Sequence, residues 1–238
     1  MRFPIFETDD VRWKYGTHGG TIFVVSHRGK PFALTCRHVF GDFDRRRLRI
    51  TDEKFGRVVA PLQSLHYASQ PRDYATDSDV LDIAVIEFTK DVGAEFFKGT
   101  AYITDANTVG TSGEGDVLYV NGNLKKNSKI TDSKIIPEFG LIDLCDCGAV
   151  SSDVSLRKAR AEYKEPKFSS LSGLSGSPVF NATKKRLCGM TVRAGLEHGA
   201  CTLWYIDIFD IIKVLDAILD ERPQIYYEKK IRRLLTAG

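Results

Sequence analysis

The sequence predicts an all-β chain that ends in a single amphipathic helix, and three observations carry that expectation. Apolar, β-branched and aromatic residues come in short runs of about 4–8 residues, the length and make-up of strands. Thr21–Ser26, Pro31–Cys36 and Leu81–Phe88 are three of them, separated by polar or Gly-containing stretches. The period changes to that of a helix near the C-terminus, where Ile208, Ile211, Ile212, Leu215, Ile218 and Leu219 recur behind Asp207 as N-cap, with Pro223 as the stop. Over 238 residues, 42% are hydrophobic and 27% charged, the balance of a soluble globular protein large enough to bury a core without staples.

Taken in order, Thr21–Ser26 and Pro31–Cys36 form a hairpin around Arg28-Gly29-Lys30, with Gly19-Gly20 before it as a point of close backbone approach. Asp42 to Arg49 carries Arg45, Arg46, Arg47 and Arg49 and reads as a solvated loop. Val58–Leu62 and Leu81–Phe88 are further strands, with the polar stretch 70–79 between them. Residues 90–115 are a connection. Strands follow at Asp116–Val120, Leu141–Val150, Ser177–Asn181, Arg186–Arg193 and Cys201–Ile206, with a long polar loop at Asn121–Ser133. The tail after Pro223 is basic and carries Ile225, Tyr226, Tyr227 and Ile231; a second helix, a docking segment and a frayed end all fit it.

Three stretches carry chemistry. Ser169–Phe180 reads S-S-L-S-G-L-S-G-S-P-V-F and sets Ser175 between Gly173 and Gly176. A serine hydroxyl needs a base beside it and backbone N–H groups aimed at the developing oxyanion, and glycines permit such a turn. Leu34–Phe40 reads L-T-C-R-H-V-F and offers His38 as the base. Val80–Phe88 reads V-L-D-I-A-V-I-E-F, an apolar run in which Asp82 is the interrupting carboxylate, costly to bury without a hydrogen-bond partner. Asp73, Asp77 and Asp79 compete for the acidic role, but only Asp82 lies in a strand-like run.

This ordered set, His38 then Asp82 then Ser175, resembles the trypsin/chymotrypsin-like serine peptidases over about residues 17–206. The α/β-hydrolase order is different, and its elbow needs a glycine where this chain has Ser177. The resemblance implies two antiparallel six-stranded β-barrels with a C-terminal α-helix: residues 1–95 the first barrel, 96–206 the second, 207–238 the helix and basic tail. It implies a serine endopeptidase working through an acyl-enzyme on a protein or peptide substrate. His38 would be the base, Asp82 its orienter, Ser175 the nucleophile, and the N–H groups of Gly173 and Ser175 the oxyanion hole. Ser169 would floor the primary pocket, with Thr191, Val192 and Arg193 along one wall. The uncharged Ser169 gives no support for a trypsin-like demand for Lys or Arg. A departure from the family's secreted members is Leu174, where many carry an aspartate that pairs with a newly cleaved N-terminus. Control is then expected from narrow specificity, a regulatory partner or a misplaced loop. The rival expectation is a silent module that uses the groove for binding.

Net charge of +3 is too small to argue for nucleic acid, so neither nucleic acid nor membrane is expected as a partner. The N-terminal residues show no apolar run of signal-peptide length, and the five cysteines lack disulfide-framework spacing. A cytoplasmic protein with reduced thiols is the resulting expectation. Cys145 and Cys147, with Cys188, His198 and Cys201, could form a zinc set; buried thiols are preferred, and no cofactor or metal is expected.

Overall fold

Residues Thr21–His27 are rich in β-branched side chains and fold back on Lys30–Cys36 through a two-residue turn in which Arg28 (φ 50°) and Gly29 (φ 79°) both take positive φ. That turn matches the twist of the flanking strands and sets the register Val24↔Ala33. The molecule is known here as a computed structural model describing residues 2–9, 14–16, 20–40, 48–51, 58–59, 62–68, 82–88, 101–124, 129–130, 135–136, 139–150, 153–161, 170–221 and 226–230. Its strands in chain order are β1 (Arg2–Asp9), β2 (Lys14–Gly16), β3 (Thr21–His27), β4 (Lys30–Cys36), β5 (Leu48–Thr51), β6 (Val58–Val59), β7 (Leu62–Ala68), β8 (Ile83–Phe88) and β9 (Tyr102–Ile103). They continue with β10 (Val117–Asn123), β11 (Lys129–Ile130), β12 (Ile135–Ile136), β13 (Phe139–Val150), β14 (Asp153–Arg160), β15 (Pro178–Asn181), β16 (Arg186–Glu197) and β17 (Ala200–Asp207). Helix α1 (Ile208–Leu219) and β18 (Tyr226–Lys230) close the chain.

The expected all-β class with a C-terminal helix is what the structure shows, and one closed barrel beside a second sheet is consistent with the expected double barrel. The later half is a closed six-stranded barrel, β10-β13-β14-β17-β16-β15. The earlier half is a ten-stranded sheet along β18-β7-β8-β4-β3-β1-β5-β6, with β2 and β9 paired at its side. Among the described residues this sheet is antiparallel except where β9 runs parallel to β3, and its strand path is open rather than closed.

Several elements differ from the sequence reading, each for a physical reason. Asp82 stands one residue ahead of β8 rather than inside it, so its carboxylate lies at the strand's mouth. The loop expected at Asn121–Ser133 begins as strand, because Asn121, Gly122 and Asn123 continue β10 against β13, and β11 pairs with β12. The tail is neither helix nor frayed end at Tyr226–Lys230: it adds the edge strand β18 beside β7, a place where lysines and polar residues are well suited. The arginine run 45–47, the acidic competitors at 73, 77 and 79, and Pro223 lie outside the described residues.

Two apolar cores follow. One fills the closed barrel with Leu118, Val120, Leu144, Leu174, Val179, Leu203 and their neighbours. The other joins β3, β4, β7 and β8 to the inner face of α1, where Ile208, Ile211, Leu215 and Ile218 are buried. The helix begins as expected, with the Asp207 carboxylate accepting from Phe209 N at 2.9 Å. It packs on β16 and β17 and also reaches the first sheet, where His27 Nε2 meets Asp216 Oδ1 at 2.9 Å and Arg28 Nη1 meets Asp220 Oδ1 at 2.9 Å. The helix therefore clamps both halves.

Candidate active site

The chain after β4 winds into a short 3₁₀ turn, Arg37–Phe40, whose Val39 and Phe40 are buried. Burying those two side chains turns His38 outward, leaving its side chain about half exposed. Gly20 lies under this turn: a Cβ there would sit 2.3 Å from Val39 Cγ1, so the close approach read from Gly19-Gly20 is real at Gly20. Asp82 receives the turn from below. Its Oδ1 accepts from His38 N at 2.9 Å, its carbonyl accepts from Arg37 N at 3.2 Å, and its Oδ2 takes a short hydrogen bond from His38 Nδ1. The carboxylate thus fixes both the backbone and the ring of His38. With Nδ1 held by Asp82, the ring's Nε2 is the nitrogen left to act as a base.

Ser175 comes from the other half, on a turn between β14 and β15. Leu174 beside it is fully buried in the closed barrel's core. Leu174 N donates to Leu171 O at 3.3 Å and Ser177 N to Leu174 O at 2.9 Å, which winds the turn tightly. Gly176 (φ +84°) permits it, since a Cβ there would lie 2.0 Å from Thr21 O. Among the described residues, the N–H groups of Gly173 and Ser175 serve as donors in none of these turn bonds, whereas those of Leu174, Gly176 and Ser177 do. These are the two N–H groups that the sequence reading assigns to an oxyanion hole.

The halves are stapled at this point by residues that the sequence reading did not single out. Thr21 N donates to Ser175 O at 2.8 Å, and Thr21 Oγ1 donates to Gly173 O at 2.9 Å while accepting from Asn123 N at 2.8 Å. Thr35 Oγ1 donates to Thr21 O at 2.8 Å. Cys36 Sγ reaches Thr191 O at 3.1 Å, the same carbonyl that accepts from Gly176 N at 2.8 Å. Two threonines and a cysteine on neighbouring strands of the first sheet thus hold both sides of the serine turn. Only a three-dimensional contact reveals them; the nearest sequence signal is the T-C directly before Arg37-His38.

The predicted wall residues separate. Thr191 and Val192 are buried beside the turn, and Val192 O accepts the Ser175 hydroxyl at 3.2 Å. Arg193, beyond a bulge in β16, is exposed with its guanidinium 4.6 Å from the centre of the Trp204 ring. Ser169 lies outside the described residues.

The cysteines do not assemble as a zinc set. None of the five is in a disulfide; Cys188 and Cys201 are buried, Cys145 is half-buried and Cys147 exposed, which corrects the expectation that the Cys145-x-Cys147 pair is buried. Burial pushes the Cys188 and Cys201 thiols up to about 11. The described residues place one His/Cys/carboxylate group together, and it is Cys36, His38 and Asp82.

A closed six-stranded barrel beside a second, mainly antiparallel sheet, followed by a C-terminal helix, is the fold of the chymotrypsin-like proteases. Solved structures of that class share the fold. A mutant of human heparin binding protein superposes with a TM-score of 0.62 at 10% identity, covering 92% of each chain. The VesB protease of Vibrio cholerae does so at 0.59 and 14%, covering 92% of this chain and 64% of that one. An inactivated protease paralogue of the scabies mite gives 0.54 and 13%, over 93% and 94%. No protein-family model and no curated protein matches the sequence.

Proposed function

We propose that the chain is a serine endopeptidase acting on protein or peptide substrates. The observation that carries this reading is a His38 held by the Asp82 carboxylate on one half and, on the other, a tight serine turn tied to the first half through Thr21 N and Ser175 O, in which among the described residues the N–H groups of Gly173 and Ser175 donate to no backbone carbonyl. In a productive cycle the Ser175 hydroxyl leaves Val192 O and gives its proton to His38 Nε2 as Oγ attacks the substrate carbonyl. The oxyanion lies against the N–H groups of Gly173 and Ser175, and Asp82 stabilises the imidazolium. His38 then protonates the leaving amine, and water hydrolyses the acyl-enzyme by the reverse sequence. Thr191 and Val192 line the approach to Ser175, and Arg193 on Trp204 offers a positive rim. Five free cysteines support a reducing, cytoplasmic setting; among the described residues no helix is long and apolar enough to cross a membrane.

A second reading, a silent module that binds a protein partner in the same groove, is favoured by one observation: the Ser175 hydroxyl donates to Val192 O. An inactivated paralogue shares the fold. A fluorophosphonate probe on the intact protein, followed by mass spectrometry, decides between them. Labelling at Ser175, lost in Ser175→Ala, supports the peptidase; no labelling of folded protein under any substrate or partner condition supports the silent module.

A further inference from the structure

Cys36 is a third ligating group at the dyad, and peptide hydrolysis gives it no chemical role. Its thiol sulfur, an imidazole nitrogen of His38 and a carboxylate oxygen of Asp82 all lie within 4.8 Å of one another. The nitrogen facing Asp82 is Nδ1. Thiolate, imidazole and carboxylate are the three protein ligands that zinc takes most readily, and tetrahedral zinc sets such atoms roughly 3.3–3.6 Å apart. Small shifts of three side chains reach that spacing. The sulfur comes from the buried strand β4 and the carboxylate from the mouth of β8, while the half-exposed His38 gives an ion its way in from solvent. Cys36 ends β4 opposite Ile83, the first residue of β8; Asp82 directly precedes β8 and His38 lies in the turn after β4, tied to each other through Asp82 Oδ1 and His38 N, so the group is set by the strand pairing.

We propose that Cys36, His38 and Asp82 form an inhibitory site for a thiophilic divalent cation, zinc or cadmium, with water completing the coordination. Binding releases the thiol proton to solvent and moves the ring proton from Nδ1 to Nε2 as Nδ1 takes the metal. The hydrogen bond from Cys36 to Thr191 O is given up. With Nε2 protonated and Asp82 engaged by the ion, His38 has no lone pair for the Ser175 proton. The inhibitory half of the proposal rests on the peptidase reading; the metal site itself does not.

The test uses the full chain carrying Cys145→Ser and Cys147→Ser, which removes the accessible competing thiols. Cadmium titration is followed by the ultraviolet thiolate-to-cadmium charge-transfer band and by calorimetry. One thiolate-coordinated ion per chain is expected, with affinity falling at least about 10²-fold on adding Cys36→Ser or, separately, Asp82→Asn, each checked for an unchanged circular dichroism spectrum. The serine variant keeps a donor for Thr191 O. If Cys36→Ser misfolds, Asp82→Asn carries the test alone. Binding without the thiolate band, or affinity indifferent to both substitutions, overturns the site. Peptide hydrolysis is then measured with zinc, each protein relative to its own metal-free rate. Inhibition lost with Cys36→Ser supports the switch, and hydrolysis unaffected by zinc that is bound through Cys36 overturns it. Metal-free protein that hydrolyses nothing and takes no fluorophosphonate counts against the peptidase reading while the cadmium result stands.

Discussion

The two halves hold their buried carboxylates by different means. In the closed barrel, Asp146 is wholly buried: Oδ2 accepts from Arg157 Nη2 at 2.8 Å and from Tyr205 OH at 2.9 Å, and Oδ1 accepts from Gly148 N at 2.7 Å. Tyr205 in turn accepts from Arg157 Nε at 3.0 Å and contacts Ser112. Burial alone would lower the Arg157 guanidinium, but Asp146 and Tyr205 outweigh it and raise it; burial raises Tyr205. None of these donors changes charge in the ordinary pH range. In the first sheet, Glu87 is bonded instead to His66 Nε2 at 3.2 Å and, closely, to Lys30 Nζ. Its partners are thus an imidazole and an ammonium group rather than a guanidinium and a phenol. The difference teaches a division of labour. The half that carries the serine turn holds its carboxylate with an arginine, a tyrosine and a backbone N–H, and the half that carries His38 and Asp82 holds its carboxylates with histidines and a lysine.

The candidate site adds a third carboxylate, Asp82, also held by histidine, and breaking it should give the largest effect. Asp82→Asn is expected to lower peptide turnover by about 10⁴-fold, because an amide favours the wrong tautomer of the base. Melting temperature should stay close to the parent, since the carboxamide can still accept from His38 N. Single-turnover assays on a fluorogenic peptide library check this, and turnover within tenfold of the parent would remove Asp82 from the mechanism.

Next in size is the barrel lock. Arg157→Met leaves Asp146 buried without its cation, and a broken buried pair costs about 3–5 kcal/mol. Replacing both partners, Arg157→Met with Asp146→Leu, should restore most of that loss if the network is mainly a matter of charge balance. Urea denaturation of the single and double variants measures it; a single variant as stable as the parent would show that Tyr205 and Gly148 suffice for the carboxylate.

How much of this was legible in the sequence follows from the range of each interaction. His38, Asp82 and Ser175 stand in local motifs whose turn chemistry is written within a few residues, so they could be named in advance. Leu174 stands out in the sequence as a departure from the aspartate of the secreted peptidases, but its burial in the barrel core beside the serine turn needs the packing to be seen. Thr21 and Cys36 act across a sequence gap of about 150 residues onto the serine turn and the strand beside it, with Thr35 holding Thr21, and no local pattern encodes those contacts. Strand β14 escaped notice because its core-facing positions are Leu156 and the small Ala159, while Arg157, Lys158 and Arg160 dominate its composition. Strand β1 and the edge strand β18 are hard to read for related reasons: Pro4 counts against a strand, and Glu228, Lys229 and Lys230 look like solvated tail. The apolar runs that form β3, β4 and β8 were legible because burial on both faces leaves no other reading.

The titratable lock gives a smaller and pH-dependent effect. Hydrogen bonding to His66, with Lys30, holds Glu87 at about 2, against the burial that would raise it. A carboxylate whose folded value is depressed adds stability that is complete above its unfolded value of about 4.5 and is lost as pH falls from there through about 2. Glu87→Gln should therefore cost roughly 1–3 kcal/mol at pH 7, and the gap between variant and parent should close toward pH 2. Denaturant titrations at several pH values test the sign; a gap that widens on acidification would mean that Glu87 is not held as an anion.

The smallest expected effect concerns the clamp between the halves. Asp207 caps α1 by accepting from Phe209 N, with a further hydrogen bond to Thr111, yet burial raises its carboxyl above the ordinary range. The cap hydrogen bond stabilises the helix, while burying the charge works against it. Asp207→Ala removes the acceptor and should cost about 1 kcal/mol. Asp207→Asn keeps an acceptor and removes the buried charge, so it should lose less than the alanine variant. Because the folded carboxyl is raised, the parent loses stability as pH rises and it ionises, so the deficit of both variants against the parent should shrink while the difference between them stays constant. Because α1 also reaches His27 and Arg28, loosening its first turn should raise hydrogen exchange in β17 more than in β3, which keeps its pairing with β4. Equal losses for alanine and asparagine at every pH would mean that shape, not hydrogen bonding, sets the value of this cap.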